Sequence, residues 1–270
     1  MKVHLVTYAT PRFRHRQIFL HASARANRVA DATWPFSPAK VIASGFQERC
    51  PDLRLNERGS GFWAWKPFII QRVLDAVPDG DLVFYCDVGR THPFKLLTPC
   101  LPPLLRWMEE KGQSMLPGVG IPWDGPMSMW TKRDAFVLTG MDDPAFHSAA
   151  PVQASFSLWR AGSEARSFIG QWMDWCADRR LVSDDASGCG LPELPGFREH
   201  RHDQALLSLC CFQRGVEWLD LGLEKPSFDS KHPAEVAKRL GTLPAGSVTG
   251  RMVALVANLT ERAERCLRRG

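Results

Sequence analysis

Short apolar runs of strand length alternate along the chain with longer segments in which apolar residues recur every three to four positions. The runs KVHLVTYA, AKVIASG and DLVFYCD each predict a strand. The segment FWAWKPFIIQRVLDAV, between the second and third runs, predicts a helix with Pro67 in its first turn. One face of this helix carries Phe68, Ile69, Val73, Leu74 and Val77. Because strand, helix and strand follow in this order, we expect an α/β fold with a mainly parallel central sheet flanked by helices.

The second half of the chain predicts further helices and one late strand. SEARSFIGQWMDWCADRRL is amphipathic, HRHDQALLSLCCFQRG begins with polar residues and continues as a helix, and VEWLDLG has the pattern of a strand. The last residues form a basic, partly amphipathic segment. We therefore expect one α/β domain over residues 1–230 and a helical tail over residues 231–270 that packs on the domain or on a membrane surface.

The amino-acid composition and the charge of the chain bear on its binding partners and its location in the cell. The net charge of +5 is spread along the chain, and no zinc-finger spacing, RNP-like string or helix-turn-helix signature accompanies it, so we expect no nucleic-acid partner. The eight cysteines include no C-x-x-C pair, which favours a reducing cytosol. No segment approaches the ~20 apolar residues of a membrane span. These features predict a cytoplasmic protein. For the basic tail, the alternatives are packing on the domain and peripheral contact with the inner membrane.

The third apolar run ends abruptly in a carboxylate. DLVFYCD is followed by Val88 and Gly89, so Asp87 stands at the carboxyl end of a strand that is apolar enough to be buried on both faces. In open α/β sheets ligands bind beyond this end of the parallel strands. An aspartate also commonly opens a turn. The residues alone leave both interpretations open.

Four strings in the same order resemble a pattern in bacterial glycosyltransferases of the GT-A fold, the nucleotide-diphospho-sugar transferases. They are GFWAWKP, DGDLVFYCDVG, WTKRDAF and EHRHDQALLSL, and the resemblance covers roughly residues 1–220. It implies a GT-A-like fold, transfer of a sugar from a nucleotide-diphosphate donor (we expect a UDP-sugar) and a saccharide or lipid-linked saccharide acceptor. It further implies a role in assembly of a surface polysaccharide or lipopolysaccharide.

The resemblance assigns the sugar donor to the ends of the first and third strands and to the helix start between them. The expected donor-binding residues are Thr7, Tyr8, Trp65, Lys66, Asp87 and Gly89. Lys66 and the helix N-terminus suit a diphosphate because the ammonium and the backbone N–H groups both attract negative charge. The alternatives are a core tyrosine at position 8, and core tryptophans with a solvated lysine at positions 63 to 66.

A metal cofactor is left open by one departure from the family pattern. Many GT-A enzymes carry Asp-x-Asp at this strand end, and here Gly89 replaces the second aspartate. A single carboxylate still suits Mg²⁺ or Mn²⁺ that keeps its waters and takes phosphate oxygens. Asp87 is therefore a candidate metal ligand, and the alternative is that it accepts a hydrogen bond from the ribose or sugar of the donor. His232 is a second candidate ligand by analogy with late histidines in GT-A enzymes. A surface histidine is the alternative for His232.

Two further polar groups are candidates for catalysis and acceptor binding. EHRHDQ, residues 199–204, is the densest polar cluster, and we take Asp203 as the general base, His202 as a catalytic partner, and His200 and Gln204 as sugar-binding groups. Lys132 and Asp134 in WTKRDAF are placed on the acceptor side. The alternatives are an Asp203 that only caps the following helix and a charged turn at residues 132–134.

The sequence leaves three function classes open. The first is a glycosyltransferase in which Asp87 and Lys66 stabilise the leaving diphosphate and Asp203 takes the acceptor proton. The second is a carbohydrate-binding or scaffolding module of the same fold without catalysis. The third is a nucleotidyltransferase, although TYATPRFRHR lacks the glycines of a phosphate-binding loop.

Overall fold

The chain is described by a computed structural model over residues 1–88, 100–220 and 233–240. Within these ranges one sheet contains the five strands β1 (Val3–Tyr8), β2 (Ala32–Phe36), β3 (Leu82–Cys86), β4 (Met115–Leu116) and β7 (Phe156–Arg160). Their order across the sheet is β2-β1-β3-β7-β4. Two short strands, β5 (Val119–Gly120) and β6 (Val152–Gln153), pair with each other separately.

The sheet is mixed, with a parallel core. β1 runs parallel to both β2 and β3, whereas β7 runs antiparallel to β3 and to β4. The expectation of an α/β fold is therefore confirmed. The expectation of a mainly parallel sheet holds for the three strands β2, β1 and β3, and it fails where β7 joins them.

Helices cover both faces of the sheet. The longer ones are α1 (Arg14–Ala26), α5 (Trp65–Ala76), α6 (Leu101–Glu110), α9 (Ser163–Ala177), α11 (His202–Arg214) and α12 (Pro233–Leu240). The shorter ones are α2 (Pro38–Ala43), α3 (Phe46–Arg49), the single turn α4 (Gly59–Phe62), α7 (Arg133–Leu138), α8 (Pro144–Ser148) and α10 (Arg179–Val182).

Two apolar clusters lie on opposite faces of the sheet, because successive strand residues point in opposite directions. Val83 and Tyr85 of β3 pack into the cluster that contains α5, α9 and α11. Leu82 and Phe84 pack into the cluster that contains α1, α6 and α12. The strand is thus buried on both faces, as its unbroken apolar run predicts.

Two predicted strands are wrong. AKVIASG forms the short helix α2, which Ser37 caps by accepting a hydrogen bond from the backbone N–H of Lys40. The strand lies just before it, at β2, where Pro35 is tolerated because β2 is an edge strand. In VEWLDLG the described residues, 216–220, contribute an isolated bridge between Leu219 and Val119, and residues 221 and 222 lie outside the described ranges.

The described part of the tail is one helix, and it packs on the domain. α12 places Val236 and Ala237 in the cluster that it shares with α6. The arginines of the last residues, together with Gly89 and His232, lie outside the described residues. No helix in the described ranges has the length and hydropathy needed to span a membrane.

Candidate functional site

Three charged side chains meet beyond the carboxyl ends of β1 and β3. Nζ of Lys66 lies 2.8 Å from Oδ2 of Asp203 and 3.9 Å from Oδ1 of Asp87. The Lys66 ammonium also donates to the carbonyl oxygen of Ala154 at 3.0 Å. The side chains of Lys66 and Asp203 are each only 5% exposed, whereas that of Asp87 is 44% exposed. The structure therefore unites three predicted site residues from two helices and a strand end.

Local structure explains why the two buried charges face each other. Lys66 is the second residue of α5, which begins at Trp65, two residues before Pro67. Asp203 is the second residue of α11, and its carbonyl accepts a hydrogen bond from Nε1 of Trp172 at 2.9 Å. The residue at the helix cap is Arg201, and no side chain caps α11. Asp203 is therefore not the cap of its helix, and its carboxylate lies against Lys66.

Burial and neighbouring charges shift the pKa values of both Asp203 and Lys66. Burial raises the pKa of Asp203 to about 6, although the charge of Lys66 opposes this shift. Burial lowers the pKa of Lys66, but the charges of Asp203 and Asp87 outweigh it and the net direction is upward. The Lys66–Asp203 contact is an ion pair by distance, and Oδ2 of Asp203 has no aligned hydrogen bond. A carboxylate that ionises near pH 6 next to a fixed cation is suited to accept a proton at neutral pH.

Asp87 extends the face of β3 that carries Tyr85. The hydroxyl of Tyr85 donates to Oδ1 of Asp87, and the backbone N–H of Asp87 donates to the carbonyl of Ser155 at 2.9 Å. Burial, followed by the charge of Asp87, raises the pKa of Tyr85 well above its usual value, so the hydroxyl stays protonated as a hydrogen-bond donor. One carboxylate oxygen of Asp87 is thereby fixed, and the side chain as a whole remains 44% exposed.

Two cavities meet at Asp87 and Trp63, which line both of them. The first, of about 250 Å³, also contains Lys66, Asp203 and Gln204. The second, of about 240 Å³, lies at the end of β1 and is lined by aromatic rings. Its aromatic residues are Tyr8, Phe13, Trp63 and Trp65. We call the first the polar cavity and the second the aromatic cavity.

The aromatic cavity has a rigid wall. The rings of Tyr8 and Trp65 stack with centroids 3.9 Å apart and planes 22° apart, and Nε1 of Trp65 donates to the carbonyl of Gly59 at 2.9 Å. The Tyr8 hydroxyl has no aligned hydrogen-bond partner among the described residues. Burial raises its pKa, and the nearby Ser60 side chain opposes that shift. Flat aromatic walls with a few polar atoms are typical of sites for planar ligands.

A left-handed turn of the backbone separates the two cavities. Every residue from Gly59 to Trp63 has a positive φ, between 54° and 81°. Residues with a Cβ pay about 1–2 kcal/mol each for this conformation, and such strain is concentrated at functional sites. A Cβ on Gly59 would lie 2.2 Å from the Trp63 ring, so only glycine lets that ring pack against the turn. The turn thereby sets Trp63 between the cavities.

His200 and His202 both line the polar cavity and are almost fully buried. Their rings lie 5.3 Å apart at 73°, and the ring of Trp63 stacks on that of His202. Burial lowers the pKa of both histidines, that of His200 well below its usual value. Both rings are therefore neutral at pH 7.

Among the other predicted site residues, Gln204 and Lys132 line cavities, whereas Asp134 is held by backbone hydrogen bonds. Gln204 lines the polar cavity, and Lys132 lines a larger neighbouring cavity of about 540 Å³ that shares Glu199 and His200 with it. Asp134 instead accepts hydrogen bonds from the backbone N–H groups of Gly188 and Cys189, so its carboxylate holds a loop.

Thr7 lines neither cavity at the strand ends. Its hydroxyl is fully buried between Nε2 of His21 and the side-chain amide of Gln17, at 2.8 and 2.9 Å. These contacts hold α1 against β1. The position of Thr7 therefore gives the prediction of contact with a sugar donor no support.

Several residues at the site were not found from the sequence. Arg58 lies in the polar cavity and bridges Asp184 and Glu199 at 3.2 and 3.1 Å, although it belongs to none of the four strings. Phe13 contributes to the aromatic cavity from the chain that follows β1. The one signal in the sequence was the segment RGSGFWAW, in which two glycines precede bulky aromatic residues.

Comparisons with known proteins add no assignment. Models of protein families and curated protein sequences were both compared with the chain, and neither comparison gives a match. In the described ranges, no three His, Cys, Asp or Glu side chains are grouped so that they could hold a metal ion.

Proposed function

We propose that the chain is a glycosyltransferase with a GT-A-like fold. It transfers a sugar from a nucleotide-diphosphate donor, for which we expect a UDP-sugar, to a hydroxyl of a saccharide acceptor. The observation that carries the proposal is the Lys66, Asp87 and Asp203 cluster at the junction of an aromatic and a polar cavity. Its position beyond the ends of two parallel strands is where α/β proteins bind nucleotides.

The nucleotide base fits the aromatic cavity. Tyr8 and Trp65 form its stacked wall, and Trp63 forms the boundary with the polar cavity. A base held there directs its phosphates toward Asp87, which is shared by the two cavities. The sugar of the donor and the acceptor then lie in the polar cavity beside Asp203.

The charges of the polar cavity give a metal ion a role in this proposal. Three cations, Arg58, Lys66 and Arg201, line it together with three carboxylates, Asp87, Glu199 and Asp203, so its formal charge is zero. A diphosphate therefore needs further positive charge. No described residue donates a hydrogen bond to Oδ2 of Asp87. Mg²⁺ or Mn²⁺ held by this oxygen and by phosphate oxygens would supply that charge and stabilise the leaving diphosphate.

Asp203 is the base in this proposal. The acceptor hydroxyl oxygen bonds to the anomeric carbon, and the carbon–oxygen bond to the diphosphate breaks. The diphosphate leaves with the bonding electrons, and the hydroxyl proton passes to the Asp203 carboxylate. Lys66 keeps the carboxylate ionised and holds it in place through the ion pair. A positioned base with this pKa typically contributes about 10²–10⁴-fold to the rate.

A thermal-shift and calorimetry screen tests the proposal. UDP, UDP-sugars and other nucleoside diphosphates are added with Mn²⁺ and with EDTA. At ligand concentrations of about 100 times Kd the gain in stability is about 2.7 kcal/mol. We expect a uridine nucleotide to stabilise the protein, and more strongly with Mn²⁺. The proposal fails if no nucleotide raises the melting temperature in either condition. Binding without release of UDP in the presence of saccharides would favour the non-catalytic module.

A further inference from the structure

The neighbouring histidines of the polar cavity have opposite tautomers. Nδ1 of His200 accepts a hydrogen bond from the backbone N–H of Lys132 at 3.3 Å, so the proton of the neutral ring is on Nε2. Nδ1 of His202 lies 2.8 Å from the carbonyl oxygen of Val182, so it carries the proton and Nε2 is unprotonated. One ring therefore offers an N–H group and the other a lone pair.

Neither Nε2 atom is satisfied within the described protein. Both are buried and have no aligned hydrogen-bond partner. The backbone of Leu181 raises the pKa of His200, but burial, His202 and Lys132 outweigh it and the net direction is downward. An unpaired buried polar atom costs about 1–3 kcal/mol. Both of these atoms belong to residues that line the polar cavity, which points to a ligand that pairs with both.

The donor and acceptor roles of the two nitrogens restrict the chemistry of that ligand. Nε2 of His202 lies 3.5 Å from Oδ1 of Asp184, and Arg58 of the same cavity pairs with both Asp184 and Glu199, so these charges are balanced. An ionised phosphate offers oxygen acceptors alone, so it can pair with His200 and leaves the His202 lone pair without a donor. An ammonium group offers hydrogen-bond donors alone and leaves His200 unpaired. A hydroxyl group both donates and accepts, as do neighbouring hydroxyls on a sugar ring.

We propose that His200 and His202 together bind the hydroxyl groups of a neutral saccharide. Nε2–H of His200 donates to one hydroxyl oxygen, and Nε2 of His202 accepts the proton of a hydroxyl. The pair adjoins Asp203 in the sequence and in the polar cavity, so the saccharide is the acceptor. That last assignment rests on the proposed glycosyltransferase function, whereas the histidine pair as a saccharide site does not.

Nitrogen-15 NMR of the histidine rings tests this directly on the full chain. Without a ligand, His200 is expected as the Nε2–H tautomer and His202 as the Nδ1–H tautomer. The probes are the methyl glycosides of glucose, galactose, mannose and N-acetylglucosamine, followed by monodeoxy derivatives of any that bind. At least one glycoside should shift both Nε2 resonances, and removal of the recognised hydroxyl should abolish the shift. Identical tautomers, or no shift with any glycoside in the presence or absence of UDP, would overturn the proposal.

Matched variants give a second readout. His202→Phe retains a ring that can stack on Trp63 and removes the Nε2 acceptor. His202→Asn instead supplies a side-chain amide whose oxygen can accept a hydrogen bond. Asparagine also tolerates the positive φ of 49° at this position. We expect His202→Phe to raise the glycoside Kd about tenfold, with His202→Asn closer to the parent. The control is His147→Asn. His147 belongs to α8, pairs with Asp142 and lies outside the polar cavity. Equal glycoside affinity in the parent and His202→Phe would contradict the proposal.

The two proposals fail in different ways. If UDP binds and no glycoside moves the histidine resonances, the histidine pair has no saccharide role and the nucleotide site stands. If glycosides move them and no nucleotide binds, the glycosyltransferase proposal is wrong and the pair remains a saccharide-binding site. NMR of the parent decides the matter should His202→Phe not fold.

Discussion

Nζ of Lys66 lies 2.8 Å from Oδ2 of Asp203, and both side chains are buried where the first turns of α5 and α11 meet. A buried ion pair with strained or missing partners is seldom favourable for stability alone. In the proposed function this pair serves catalysis. The lysine holds a carboxylate that burial would otherwise keep protonated, and this balance places the pKa of Asp203 at about 6.

The first prediction concerns the pH dependence of turnover. Asp203 accepts a proton only when ionised, so kcat should fall as the pH is lowered through about 6. Initial rates at saturating sugar donor and acceptor between pH 5 and 8 measure this limb. Circular dichroism at each pH checks that the fold persists. A rate that stays level through this range would exclude Asp203 as the base.

The second prediction separates the two carboxylates. Asp203→Asn removes the proton acceptor and should lower kcat about 10²–10⁴-fold, or roughly 3–5 kcal/mol, with sugar-donor affinity nearly intact. Asp87→Asn removes charge at the junction of the cavities and should weaken sugar-donor binding and turnover together. Calorimetric Kd values beside initial rates distinguish the two. If Asp203→Asn turns over like the parent, the base lies elsewhere.

The third prediction concerns the stability of the ion pair. Lys66→Met leaves the Asp203 carboxylate buried without its cation and should lower the free energy of unfolding by about 3–5 kcal/mol. The double variant Lys66→Met/Asp203→Leu removes both charges and should recover most of this loss without recovering activity. Denaturant unfolding of the parent, both single variants and the double variant completes the cycle. Additive losses would show that the two residues are not coupled.

The fourth prediction concerns stability in acid. Burial, followed by the charges of Arg25 and Arg14, lowers the pKa of His21 from 6.5 to about 4, and the pKa values of His200 and His202 are also lowered. The unfolded chain therefore binds these protons first, so this stability is present above pH 6.5 and is lost as the pH falls toward 4. Each histidine contributes up to about 1.4 kcal/mol per pH unit.

Asp203 acts in the opposite direction over part of that range. Its folded pKa of about 6 exceeds its ordinary value of 3.8, so its contribution is present below 3.8 and is lost as the pH rises through 6. Three histidines outweigh this one carboxylate, so the free energy of unfolding should still fall on acidification. The net slope corresponds to about two protons, or roughly 2.7 kcal/mol per pH unit. His21 lies outside the candidate site. His21→Gln should reduce the slope of unfolding free energy against pH by the equivalent of about one proton. An unchanged slope would show that His21 titrates alike in both states.

The fifth prediction concerns the left-handed turn. Gly59→Ala places a Cβ against the Trp63 ring at a φ of +60°, so the ring must move and nucleotide binding should weaken with stability. The matched control is Gly170→Ala in α9, where a Cβ has no neighbour within 4 Å and φ is not positive. That change should be neutral or stabilise by about 0.5–1 kcal/mol. Nucleotide Kd and melting temperature measure both, and an unchanged Kd in Gly59→Ala would remove Trp63 from the nucleotide site.

The sequence by itself determined the features that depend on neighbouring residues. The apolar face of α5 and the amphipathic pattern of α9 are confirmed, and so is the buried strand β3 directly before Asp87. These follow from periodicity, which each segment carries alone. AKVIASG misled because a short apolar run does not distinguish strand from helix, and the cap at Ser37 decided for the helix.

The tertiary structure alone decided which of the candidate residues meet. Lys66 and Asp203 are far apart in sequence, and their contact requires the packing of α5 and α11 with α9 on one face of the sheet. The contacts of α10 with α7 and α11 bring Lys132 and Val182 to His200 and His202, where their hydrogen bonds set the tautomers of the two rings. Tertiary contacts also pair the Asp134 carboxylate with the backbone of a loop and bury the Thr7 hydroxyl in the core. Burial and pairing across the chain set these roles, because a side chain's charge and protonation depend on neighbours that local sequence does not specify.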